Sequence, residues 1–198
     1  MLHIVTFIIS YLIAALSPSI ILSKRLLKKD IRELGSKNAG TTNAIRTMGK
    51  GIGALVFVLD ILKVVISYLL ILLLGVLFKE TITQSIKTTY LLASVIGHSY
   101  PIYYNFKGGK GVAVFLMAAI IIDYKAALIC IAVGVTLIAI FRMVSLGSIV
   151  GVVLLVVYSI FANTEFNILL LIFAVAIVIY NHRENIKRII AGKENKLF

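Results

Sequence analysis

Residues 51–78 read GIGALVFVLDILKVVISYLLILLLGVLF, an apolar run whose only charges are Asp60 and Lys63. About 20 such residues cross a hydrocarbon core of about 30 Å as a helix, so this run can span with tilt or begin as a re-entrant piece. Lipid offers no partner to backbone N–H and C=O groups, and a helix satisfies them within one segment. The run therefore predicts an all-α, polytopic membrane protein. The rest of the chain agrees, being 61% hydrophobic with a mean hydropathy of +1.07 and leaving no stretch for a separate soluble domain. Residues 1–198 read as one integral membrane domain.

Outward from that run, further spans are expected at Ile4–Ser23, Thr88–Ile96 (short, and completed in part by Tyr100–Tyr104), Val112–Ile122, Ala126–Phe141, Leu146–Phe161 and Phe166–Tyr180, with a basic tail to Phe198. The total is seven transmembrane helices. No basic residue precedes the first run and Lys24 and Arg25 follow it, the charge order of a retained first span that starts outside rather than of a cleaved signal peptide. Seven crossings then place residues 24–50, residues 98–111, the Arg142–Ser145 turn and the tail on the inner side, with a cytoplasmic C-terminus. Of the 20 Lys and Arg, all but Lys63, Lys79, Lys87 and Lys125 fall there, as the positive-inside rule requires.

A net charge of +12 on a soluble chain would suggest nucleic acid. Here the basic residues sit beside lipid, so the expected partners are anionic headgroups and anionic substrates, not nucleic acid. The lone Cys130, inside an apolar run, excludes a disulfide framework. The three histidines and eight acids show no metal-ligand spacing, and no Gly-x-Ser-x-Gly elbow is present, so neither a metal nor a serine acyl-enzyme is expected.

The chemistry-bearing clusters all fall on the inner side. Phe106-Lys107-Gly108-Gly109-Lys110-Gly111 combines unobstructed backbone amides, two lysines and a helix start at Val112, which outlines a phosphate cradle. It equally suits a basic turn reaching for headgroups, and it lacks the spacing of a nucleotide-binding P-loop. Gly35-Ser36-Lys37-Asn38-Ala39-Gly40-Thr41-Thr42-Asn43-Ala44-Ile45-Arg46 places small donors and acceptors ahead of an arginine that can fork two phosphate oxygens. Asn and Thr turn chemistry accounts for the same residues. Ser145, after Arg142, reads as a helix cap at a basic turn. His182 and Asn185 share a helical face that a basic anchor does not explain. Asp60 and Lys63 read as a functional pair or a self-neutralising one, and His98 as a cap or brace of its turn.

Together these blocks resemble the bacterial PlsY family of acyl-phosphate:glycerol 3-phosphate acyltransferases over nearly the whole chain. The carriers are Asp30–Asn38 through Arg46, Gly97-His98 to Pro101, Phe106–Ala113, Ser145–Ser148, and His182 through Glu194. The resemblance implies transfer of a fatty acyl group from acyl phosphate to the 1-hydroxyl of glycerol 3-phosphate, giving lysophosphatidate and inorganic phosphate at the cytoplasmic face of the inner (plasma) membrane, without a cofactor. It assigns catalysis to Ser36, Arg46, His182 and Asn185. Substrate binding goes to Asn38, Gly40, Thr42, Asn43, Lys107, Gly108, Gly109, Lys110, Gly111 and Ser145. The chain departs from the family pattern at Lys37 and Val64, where glycine is usual, at Val114, and around Ala14–Pro18. Two other classes suit the composition: an organic-phosphate transporter, against which stands the absence of a repeat, and a noncatalytic lipid-binding protein. The sequence leaves the oligomeric state open.

Overall fold

The first apolar run forms two helices. In the computed structural model, which describes residues 1–196, α1 (Leu2–Ala14) ends and α2 (Pro18–Leu26) begins with Pro18 in its first turn. Proline has no N–H to give and its ring clashes with the carbonyl four residues back, so the chain leaves the helix at Ala15–Ser17. That break frees the Leu16 carbonyl, which accepts a hydrogen bond from Lys63 Nζ at 2.7 Å.

The remaining helices are α3 (Thr41–Met48), α4 (Lys50–Phe78), α5 (Gln84–Ser99), α6 (Val112–Ile122), α7 (Tyr124–Phe141), α8 (Val144–Phe161), α9 (Ile168–Asn181) and α10 (Arg183–Ile190). Short 3-10 turns lie at Ile31–Glu33 and Ile102–Tyr104, and the described residues contain no strand. Among the described residues, four helical stretches are long and apolar enough to cross a membrane unaided: α1 with α2, α4, α7 and α8. The pair α9 and α10, bent by 60°, makes a fifth if taken as one passage, and α6 is a shorter apolar helix.

Several expected boundaries move. Helix α4 is continuous from Lys50, so the re-entrant start is not adopted. The short passage at Thr88–Ile96 extends to a full 16-residue helix, and Tyr100–Tyr104 turns away from it instead of completing it. The expected loop at residues 24–50 contains α3, whose Ala44 packs with Ile20, Ile31, Ala39 and Val56 in a small apolar cluster. Leu197 and Phe198, the end of the expected basic tail, lie outside the described residues.

The main core joins α4, α5, α6, α8 and α9 through Ile71, Tyr90, Leu91, Phe115, Leu155 and Leu171. Between helices in lipid, close packing and internal hydrogen bonds replace water exclusion as the cohesive term. Tyr90 Oη donates to the Val64 carbonyl at 3.0 Å, and the Val64 side chain is fully buried in that core. Helices α1 and α5 touch backbone to backbone: a Cβ on Gly97 would stand 2.3 Å from the Tyr11 carbonyl oxygen, so only glycine permits this approach. The Tyr11 hydroxyl seals the contact by donating to the Tyr100 carbonyl at 2.9 Å.

Candidate active site

Two sets of helix starts differ. Helices α5, α7 and α9 begin under side-chain caps, with Thr83, Asp123 and Asn167 accepting from Ile86 N, Ala126 N and Leu170 N. Helices α3, α6 and α8 begin behind Gly40, Gly111 and Met143, none of which supplies a side-chain cap. First-turn N–H groups without an internal acceptor make an end that favours anions. Gly40, Gly111 and Val144 face a single cavity of about 320 Å³.

One wall of the cavity is the segment before and within α3. Asn43, buried at 1% exposure, organises it: Oδ1 accepts from Ser36 N at 2.9 Å, and Nδ2 lies 2.9–3.1 Å from the Ile31, Leu34 and Asn38 carbonyls. With both ends of its amide engaged, Asn43 fixes the Ser36–Asn38 turn and has no donor to spare for a ligand. Lys37 sits in that turn at φ 59°, in the left-handed region that favours glycine. Asp30 anchors the segment from below, where the Arg32 guanidinium, despite some burial, holds its carboxyl down at about 2. Arg32 Nη1 in turn donates to the Tyr104 and Lys107 carbonyls at 2.8 and 3.0 Å, pinning the α5–α6 loop to this wall. Arg46 lines the cavity, its side chain making no hydrogen bond or ion pair among the described residues.

The glycine-rich loop differs from the expected cradle. Gly108 N donates to the Ser99 carbonyl and Gly109 N to the His98 carbonyl, at 3.0 and 3.1 Å, so neither amide is free for a phosphate. A Cβ on Gly109 would meet His98 Nε2 at 2.2 Å and the Ala39 carbonyl at 2.7 Å, which makes this glycine a packing requirement that lets the loop lie on α5. Lys107 is exposed, with its backbone N–H and carbonyl engaged by the Tyr104 carbonyl and Arg32 and no partner for its ammonium among the described residues, and neither it nor the two glycines lines the cavity. Lys110 and Gly111 do line it.

The opposite wall is the junction of α9 and α10. His182 Nδ1 lies 2.8 Å from the Val178 carbonyl, which can only accept, so Nδ1 carries the proton and Nε2 keeps its lone pair in the neutral ring. Burial, assisted by the Lys110 charge, pulls this imidazole down to about 4 against the pull of that hydrogen bond. Asn185 accepts from Lys110 Nζ through Oδ1 and donates through Nδ2 to Glu194 Oε1 at 2.7 Å. Ser145 does not cap α8; its hydroxyl donates to the same Glu194 oxygen at 2.9 Å, and Arg188 Nε donates to the other at 2.8 Å. Burial holds Lys110 at about 8, with Glu194 opposing and Arg188 and Arg46 adding to the depression.

Thus Ser36, Arg46, His182 and Asn185 meet in the cavity, as do Asn38, Gly40, Thr42, Asn43, Lys110, Gly111 and Ser145. Glu194 also lines it and did not stand out as a site residue in the sequence, and so does Asp60, whose pairing with Lys63 read there as functional or merely self-neutralising. A lone acid after Gly192 in an otherwise basic tail was the available signal for Glu194. No group of His, Cys, Asp and Glu among the described residues could hold a metal ion.

A family model described as glycerol-3-phosphate acyltransferase matches residues 4–192. The chain belongs to the glycerol-3-phosphate acyltransferase family. Among relatives of that name, one from Clostridioides difficile is 38% identical over 98% of this chain and 95% of its own length, and one from Thermoanaerobacter pseudethanolicus is 41% identical over 100% and 96%. A crystal structure of PlsY, an integral membrane glycerol 3-phosphate acyltransferase, in its glycerol 3-phosphate form, superposes with a TM-score of 0.86. It is 34% identical, over 99% of this chain and 96% of that one. The lysophosphatidic acid form superposes with a TM-score of 0.83.

Proposed function

We propose that this acyltransferase moves a fatty acyl group from acyl phosphate to the 1-hydroxyl of glycerol 3-phosphate, releasing inorganic phosphate and lysophosphatidate. Acyl phosphate is a mixed anhydride with a good leaving group, so the substrate hydroxyl can attack the carbonyl carbon directly. One C–O ester bond forms, the bond from the acyl carbon to the phosphate oxygen breaks, and the hydroxyl proton passes to a base. His182 Nε2 is that base in this reading, because its neighbour Nδ1 is already committed to Val178. Arg46, Lys110 and the open helix starts at Gly40 and Gly111 stabilise charge on the departing phosphate and hold the acceptor's phosphate. Ser36, Asn38 and Thr42 bind the substrates from the α3 wall, and Asn185 and Ser145 orient the site through Glu194.

The acyl tail runs into the small apolar cavity of about 60 Å³ between α6, α7 and α8, which shares Leu116, Ile138 and Ser148 with the main one. The chain works as one domain with seven crossings, its N-terminus outside and the cavity opening to the cytoplasm across the plasma membrane. The single observation that supports the reading best is the meeting of a neutral, base-ready imidazole with two cationic side chains in one cavity. The test is purified protein with acyl phosphate alone and then with glycerol 3-phosphate. Release of phosphate only after the acceptor is added, with no acylated protein trapped beforehand, is expected. A stable acyl-protein formed from donor alone would overturn direct attack, and near-normal turnover in His182→Gln would overturn the histidine base.

A further inference from the structure

A carboxylate faces the cavity from within a membrane helix with one of its two oxygens unclaimed. Asp60, 2% exposed, lies in the middle of α4. Its Oδ1 is 2.7 Å from Lys63 Nζ, an ion pair, and 3.5 Å from His98 Nδ1, so that oxygen is taken up by its own helix and α5. No hydrogen bond ends on Oδ2 among the described residues. Lys63 cannot supply more, since its ammonium also serves the Leu16 carbonyl at 2.7 Å and His98 Nδ1 at 3.1 Å. An ionised carboxylate offers only acceptors, roughly four lone-pair directions, so its unused capacity calls for a donor from outside the protein.

The cavity is chemically two-ended. Lys63 and His98 are the groups that act electrostatically on Asp60, whereas Glu194, Arg188 and Arg46 act on Lys110. The Lys110 and Arg46 end attracts a phosphate; the Asp60 end repels one and accepts a hydroxyl. A ligand that fits both ends is a phosphate monoester with a free hydroxyl beyond the one that reacts near His182.

We propose that Asp60 accepts a hydrogen bond from the 2-hydroxyl of the acceptor and thereby selects a vicinal diol phosphate in one orientation. This rests on the function proposed above and names a specificity-determining residue for it. Lys63, held by the helix break at Leu16, keeps the carboxylate aimed; His98 joins that anchor to the glycine loop through its contact with Gly109.

The experiment compares two acceptors, glycerol 3-phosphate and 3-hydroxypropyl phosphate, which lacks the 2-hydroxyl, by kcat/KM at saturating acyl phosphate. The wild-type protein is expected to favour glycerol 3-phosphate by roughly ten- to a hundred-fold, the worth of one hydrogen bond to a charged acceptor. In Asp60→Asn, and in the charge-balanced Asp60→Asn/Lys63→Met, the preference is expected to fall to within about three-fold of unity, because the charge-assisted bond is gone. A purely structural role would lower both acceptors equally and leave the ratio intact, which overturns the proposal. So does a wild-type ratio near one, a result that needs no variant to fold. Failure of wild-type protein to acylate either acceptor sinks the underlying function instead.

Discussion

Asn43→Ala separates a residue that builds the site from one that touches substrate. Its side chain makes one accepted bond, from Ser36 N, and spends its two amide hydrogens on three carbonyls. Three hydrogen bonds are lost on truncation, each worth about 1 kcal/mol net, so the expected loss is about 3 kcal/mol. For a chain of this size that corresponds to roughly 6–12 °C in melting temperature. The assay is thermal unfolding in detergent beside steady-state kinetics. Both should suffer, because the Ser36–Asn38 turn loses its template. Asn43→Asp should not rescue, since it would present a second oxygen to the three carbonyl oxygens. Unchanged melting together with lost activity would show that Asn43 contacts substrate, contrary to its geometry here.

Activity should follow two groups in pH. The imidazole of His182, held at about 4, is neutral and base-competent above that value, so kcat/KM should rise through it; Lys110, held at about 8, loses its charge above that, so KM for glycerol 3-phosphate should climb on the alkaline side. A bound phosphate favours the charged lysine, so the alkaline limb of kcat should lie higher than that of kcat/KM, and Lys110→Arg should abolish it. Glu194→Ala leaves the Asn185 amide and the Ser145 hydroxyl without their acceptor; at about 1–3 kcal/mol per stranded donor, kcat/KM should drop at least ten-fold, read by initial rates. Lys37→Gly relieves a left-handed lysine at a strain of about 1–2 kcal/mol, against roughly 0.5–1 kcal/mol of extra chain entropy, so the melting temperature should rise by a few degrees with turnover unchanged.

The long helices were legible because apolar length is a one-dimensional property of the chain: α4, α7 and α8 start and end within a few residues of their expected bounds. Convergence of the polar clusters was legible too, since charge bias placed them on one side. Helix α3 was not, because Thr41, Thr42 and Asn43 have the composition of a turn and its apolar side is short. Gly108 and Gly109 were read as a cradle because glycine signals freedom of backbone approach without saying what approaches; here it is the His98 carbonyl and ring. The Asp60–Lys63 pair was visible in the sequence, but its link to His98, 38 residues from Asp60, was not, nor was the link of Glu194 to Ser145, 49 residues away. Such pairings leave no local trace.

The most direct measurement is product stoichiometry from the purified protein given acyl phosphate and glycerol 3-phosphate. One lysophosphatidate, acylated at the 1-position, should appear for each inorganic phosphate released, and none when the donor is an acyl thioester alone. Phosphate release without acylated glycerol 3-phosphate, or acylation from a thioester at the same rate, would contradict the proposed reaction.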